Sequence, residues 1–272
     1  MMYRLSLLLL LGFLAQNASA QDWRAHLDTL RLASDTIQAS SPFDDPINEV
    51  YPSEIIEEFQ SVMISKLRKL AELNVPIDSI TGVDMIEILP IEGTNVSILQ
   101  WEAKTGGSFQ EVYVFTWVES NGQCHFNDIG LSGHTTPVDV LDRNGETIAL
   151  LYTEVRGCNT CFEGTLSLVN FTDGATTEAQ LTIYSRSWEI HITQVQENIY
   201  HFRGFLYLDA YVQITNGSEV TYSSQNDPYF EFRYPIIDED GYERIANGFI
   251  EIVDKKEFRL ADHIIDEESS EM

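Results

Sequence analysis

Six dipeptides set the limits on what this chain can fold into: Gly106-Gly107, Asn121-Gly122, Asn144-Gly145, Asp173-Gly174, Asn216-Gly217 and Asp240-Gly241. Asn-Gly and Asp-Gly accept the positive φ angles of tight hairpin turns at little steric cost. Around them lie β-forming runs: Met85–Ile91, Val96–Ala103, Gln110–Glu119, Thr147–Arg156, Glu163–Phe171, Ala179–Ser185, Glu189–Val195, Ile199–Thr215, Tyr229–Tyr234, Ile245–Val253 and Glu257–Asp262. Parallel strands need a crossover, usually helical, and no such pattern separates these runs. The expectation is a mainly β fold with antiparallel, meander-like sheets, sandwich or barrel-like.

Within this series, Glu146–Phe171 is the most informative stretch. Its first half is apolar on both faces, with Ile148, Leu150 and Tyr152 on one and Ala149, Leu151 and Val155 on the other. A strand covered on both sides has that pattern. The five residues Gly157-Cys158-Asn159-Thr160-Cys161 then connect it to a second β run as an antiparallel hairpin.

The N-terminal part reads differently. Residues 1–20 have the form of a secretory leader: Arg4, an apolar run from Leu5 to Leu14, and Ala18-Ser19-Ala20 as a cleavage site. Cleavage there would begin the mature chain at Gln21 and place it, soluble, in the periplasm or outside the cell. Residues 21–80 read as a helical region. Trp23, Leu27, Leu30, Ser34 and Ile37 form a stripe in its first part. A second helix starts with Ser53 as N-cap, carries Ile55, Phe59, Val62, Met63, Leu67, Leu70 and Leu73 on one face, and stops before Pro76. Residues 81–263 then form the antiparallel β domain, and 264–272 an acidic tail.

Gln100-Trp101-Glu102, Gly106-Gly107-Ser108-Phe109, Leu151-Tyr152 and the Gly157-to-Cys161 loop together resemble exported bacterial β-rich proteins without an assigned activity. The resemblance covers roughly residues 96–171. It implies an extracytoplasmic bacterial setting and no particular chemistry.

Charge narrows the partners. With 43 acids against 16 Lys and Arg, the formal charge is −27, and losing Arg4 with the leader makes it one unit more negative. Such a field repels nucleic-acid phosphates and anionic membrane surfaces, so neither is expected as a partner.

Three cysteines, Cys124, Cys158 and Cys161, suit a disulfide with one thiol left over in an exported chain. The bond lies within the loop or joins Cys124 to one loop cysteine. A zinc site from Cys124, His125, Cys158 and Cys161 lacks the second close ligand pair typical of such centres, and no metal or cofactor is expected. No His-Glu-x-x-His, Gly-x-Ser-x-Gly, Walker or dinucleotide motif is present. Asp238-Glu239-Asp240-Gly241 with Glu243 departs from calcium-loop spacing and reads as a solvated hairpin.

The aromatic strand Ile199–Tyr211 offers a ligand face. Arg203, Tyr207, Asp209 and Tyr211 share the outward side, while Tyr200, Phe202, Leu206 and Leu208 face the core. These features lead to the expectation of an exported, non-enzymatic binding or structural module with an unknown ligand. The alternative is an exported, glycan-directed hydrolase on a β scaffold.

Overall fold

The computed structural model describes residues 23–45, 51–104, 111–158, 161–172, 174–185, 190–206, 211–224, 231–233 and 244–261. Two helices precede fifteen strands among these residues. The chain divides into two compact units, passing from the first to the second between Asp128 and Ile129, with Ile91–Gly93 also counted to the second. That boundary falls inside residues 81–263, the span read from sequence as one β domain, because its first strands share a core with the helices. Residues 1–20, read as a leader, and 264–272, read as an acidic tail, lie outside the described residues. Among the described residues no helix is long and apolar enough to cross a membrane.

In the first unit, α1 (residues 23–39) and α2 (Pro52–Glu72) cover one side of a sheet. The sheet is an antiparallel meander of β1 (Glu87–Pro90), β2 (Val96–Glu102), β3 (Val112–Ser120) and β4 (Gln123–Ser132), the last running on past Asp128 into the second unit. Leu27, Leu30 and Ile37 of α1 meet Ile56, Met63, Leu67 and Leu70 of α2 over Leu99, Trp101, Phe115 and Trp117. The α1 stripe matches its expected period. The α2 stripe is rotated: Ile56, Gln60, Met63, Leu67 and Leu70 are buried, whereas Ile55, Phe59 and Val62 flank it half-buried.

Ser53 is not the N-cap. Tyr51 holds that position, and Pro52 occupies the first turn, where its fixed φ suits a helix start and its missing N–H costs nothing. Asn74 (φ 55°), and not Pro76, ends α2 in the left-handed region, while Val75 N–H reaches back to the Leu70 carbonyl at 3.1 Å. The Asn74 side-chain oxygen also accepts the Cys124 N–H at 2.9 Å, so the helix stop pins β4. Lys104 caps α1 in a similar way, donating to the Gln38 carbonyl at 2.9 Å.

The second unit is a β-sandwich. One sheet runs β12 (Glu219–Ser224), β11 (Tyr211–Asn216), β8 (Thr176–Ser185), β7 (Cys161–Asn170), β6 (Glu146–Cys158) and β5 (His134–Arg143). The other runs β13 (Glu231–Arg233), β14 (Arg244–Val253), β10 (Ile199–Leu206) and β9 (Ile190–Gln196), with β15 (Glu257–Ala261) also paired to β14. Ile148, Leu150, Leu166, Leu168 and Leu181 of the first sheet pack with Tyr200, Ile250, Ile252 and Phe258 of the second. Neither sheet closes into a barrel among the described residues.

β6 has the double-sided burial its sequence calls for, with Ile148, Ala149, Leu150 and Leu151 all at 0% exposure. Along the same sheet Thr135, Thr153, Thr165 and Thr182 are successive cross-strand partners. Their buried hydroxyls pair off, Thr135 with Thr153 at 2.9 Å and Thr165 with Thr182 at 3.0 Å. The Asn144-Gly145 hairpin between β5 and β6 has the expected positive φ angles, 55° and 86°.

Three stretches depart from expectation, one of them β12, which lies in none of the expected β runs. Residues 123–143 also lie in none of those runs, yet they form β4 and β5. Pairing with β3 and β6 supplies the order that Gly130, Gly133 and Pro137 withhold locally. The continuous strand expected over 199–215 is two strands in different sheets, β10 and β11, because a sandwich needs its chain to change layers.

Candidate ligand cleft

Two hairpin turns of the second unit line a cleft of about 630 Å³. Arg143, Asn144 and Glu146 come from the β5–β6 turn, and Asp254, Lys255 and Lys256 from the β14–β15 turn. Each turn is tight for a local reason. Asn144 and Gly145 fill the left-handed positions of the first, and Asp254 (φ 50°) and Lys255 (φ 56°) do so in the second. The second turn carries the conformational cost of two non-glycine residues at positive φ.

Arg143 organises the first turn. A two-residue hairpin makes the flanking residues direct partners, and the register pairs Arg143 with Glu146. Arg143 Nε donates to Glu146 Oε2 at 2.7 Å. Its two terminal nitrogens donate to both oxygens of Glu178 on β8, each at 2.6 Å, in a bidentate fork. Asn170 on β7 adds a 2.9 Å bond to Glu178 Oε1. The group ties β5, β6, β7 and β8 together beside the cleft.

The electrostatics follow from that geometry. Hydrogen bonds to Glu178 and Glu146 raise the Arg143 pKa further. The Arg143 bonds hold the Glu178 carboxyl below the usual range, with Asn170 and the charge of Lys256 acting in the same direction. Glu178 is therefore a fixed anion at neutral pH. Glu163 on β7 behaves oppositely, its carboxyl pushed up by burial. Glu163 does not line the cleft.

The residues singled out from sequence lie elsewhere. Arg203 is on β10 opposite His191 and Asn247, whereas Tyr211 is on β11 opposite Tyr184 and Ser224, in the other sheet. They do not share one strand face, and Tyr207 and Asp209 lie outside the described residues. Tyr200 is fully buried, as a core-facing residue should be.

Cys158 and Cys161 are cross-strand partners at the end of the β6–β7 hairpin, so the connection is a two-residue loop and not five. Cys124 is not their partner. It is a free, half-buried thiol whose Sγ donates to the Val75 carbonyl at 3.4 Å. Burial, with the nearby charge of Glu119, pushes its pKa up, which disfavours the reactive thiolate. Among the described residues no three His, Cys, Asp or Glu side chains gather as a metal site. The Asp238–Glu243 acidic turn is outside the described residues. Trp101 and Trp117, at 3% and 0% exposure, fill the first core and do not line a groove.

Sequence reasoning passed over Arg143, Asn170, Glu178, Lys255 and Lys256. One signal was there: opposite charges flanking Asn144-Gly145 are direct partners in a hairpin. Nothing local points from Arg143 to Glu178, 35 residues away. Comparison with protein-family models, with curated proteins and with solved structures found no match.

Proposed function

We propose that the protein acts outside the cytoplasm as a non-enzymatic binding or structural module, whose ligand is a small polar molecule carrying an anionic group. The observation behind this reading is the bidentate Arg143–Glu178 pair at the cleft. A general acid needs a carboxyl raised toward neutral pH, and Glu178 is shifted the other way. The pair thus favours a rigid frame over proton transfer. Lys255 and Lys256 add positive charge to a cleft that Glu146 and Asp254 also line, in a chain whose formal charge is −27. Export rests on the leader-like residues 1–20, and an intact mass beginning at Gln21 in secreted material would support it.

The test is a thermal-shift and calorimetric screen of small carboxylates, phosphates and neutral sugars. Anionic compounds should stabilise the protein, and Lys256→Gln should weaken them. Binding of neutral sugars alone, or glycan hydrolysis abolished by Glu163→Gln, would replace this reading with the hydrolase.

A further inference from the structure

Among the described residues β9 ends its sheet, bonded to β10 on one side only. Thr193, Gln194, Val195 and Gln196 are all exposed, Val195 at 51%. The strand reads Ile190-His191-Ile192-Thr193-Gln194-Val195-Gln196, without proline, lysine, arginine or acid. An end strand of that kind leaves a row of unpaired N–H and C=O groups on a β-favouring backbone, a template for another strand.

The remaining end strands are blunted. β5 carries Pro137 and a register shift beside it, and Asp139 Oδ1 accepts the Val140 N–H at 2.7 Å. β12 begins with Glu219, β13 has Glu231 and Arg233, and β15 has Glu257 and Arg259. In the first unit, β1 ends in Pro90 and β4 contains Asp128. β9 alone among these has no proline or charged residue within the strand; its own register shift lies at Val195, next to the turn, and leaves residues 190–194 in regular register with β10.

β9 also has a side-chain link to the other sheet. Gln194 donates to Asp139 Oδ2 at 3.3 Å, tying β9 to β5 across the sandwich. A docking edge anchored in this way costs little ordering when a partner arrives.

We propose that the outer edge of β9 is a docking site for an extended, lysine- or arginine-bearing polypeptide segment, which adds to the sheet as a further strand. Main-chain hydrogen bonds supply the affinity in such strand addition. Charge selects the occupant. A second copy of this chain brings another −27 and is repelled, whereas a cationic segment is drawn in by the same field. Glu197, exposed directly after β9, places an acid at the end of the edge.

The site is separate from the cleft, because no β9 residue lines it. Its failure would leave the cleft reading untouched.

The test uses the full exported chain and a fluorescent peptide of about ten residues alternating valine and lysine, long enough to span a strand. Four controls accompany it: a valine–glutamate analogue, a fully N-methylated analogue that cannot form a ladder, and two variants. Val195→Lys blunts β9. Val220→Lys makes the same charge change at another exposed valine, on β12. The lysine peptide should bind saturably and more weakly as salt rises, and both analogues should fail. Val195→Lys should cost about tenfold or more in affinity and Val220→Lys less than about twofold. Equal loss in the two variants, or retained binding of the N-methylated peptide, would reduce the effect to bulk charge and overturn the proposal. No binding of the lysine peptide would overturn it, as would sedimentation showing a dimer that Val195→Lys dissolves.

Discussion

The Tyr200 hydroxyl donates a 2.6 Å hydrogen bond to Asp139 Oδ2, joining β10 of one sheet to β5 of the other across the sandwich core. Tyr200 is fully buried, and Gln194 bonds to the same carboxylate oxygen. On another flank Asn216 forms a second clasp, with bonds of 3.0 and 2.9 Å to the Phe258 carbonyl and N–H. The two layers are thus held by shared apolar residues and by polar groups that fix their alignment.

Tyr200→Phe should lower stability by about 1.5 kcal/mol, since the buried bond to a charged acceptor is lost without a cavity. Burial, and then Asp139, raises the Tyr200 pKa above the ordinary phenol range. The unfolded chain ionises at about pH 10, so above that pH it holds fewer protons than the folded chain and stability falls as pH rises. Below about pH 10 the contribution is fully present. Urea unfolding across the alkaline range should show a shallower decline in Tyr200→Phe than in the parent.

Arg143→Gln removes the bidentate partner of Glu178 and should cost about 2 kcal/mol. Glu178 has a lowered folded pKa, so its contribution is present above the unfolded value of about 4.3 and is lost as pH falls through the folded one. The variant should therefore lose part of the acid-side slope in pH-dependent urea melts. Arg143→Lys should recover only a fraction, because an ammonium cannot reproduce the fork.

Gln60 is the polar member of the buried α2 stripe. Its Oε1 accepts from Trp101 Nε1 at 2.5 Å, and its Nε2 donates to the Ala103 carbonyl at 2.9 Å. Gln60→Leu fits the volume yet leaves a buried donor and acceptor unpaired, a loss of about 3 kcal/mol. Chemical denaturation followed by tryptophan fluorescence should report it as an earlier midpoint.

Gly133 sits at φ 137°, and a Cβ there would run into the Glu154 carbonyl and the methyl groups of Val155 and Thr153. Gly133→Ala should destabilise the protein by about 2 kcal/mol or more, since both conformation and space oppose it. Calorimetry should show a lower melting temperature, and an unchanged one would contradict the close approach of β6.

Thiol titration of the denatured, unreduced protein should find one thiol, mapping to Cys124. Cα partners in an antiparallel pair lie about 4.5–5.5 Å apart, within disulfide reach, so the register permits a Cys158–Cys161 bond, which the titration tests. Such a bond closes a very short loop, and replacing both with serine should cost no more than about 2 kcal/mol. Three reactive thiols would show the pair to be reduced.

What the chain determines by itself is local. The period of Leu27, Leu30, Ser34 and Ile37 makes α1, the double-sided apolar run makes β6 a buried strand, and Asn144-Gly145 makes a hairpin whatever surrounds it. These features rest on contacts between near neighbours, which sequence order fixes directly.

Tertiary structure decided the rest. β4 and β5 became strands because β3 and β6 offered partners, overriding their own glycines and proline. It also decided that Gln60 would be buried, that the run from Ile199 would divide between two sheets, and that Arg143 would find Glu178. The cleft and the open edge of β9 belong to the same class. Each depends on residues far apart in the chain and on which strands end a sheet, and no spacing along a sequence encodes that.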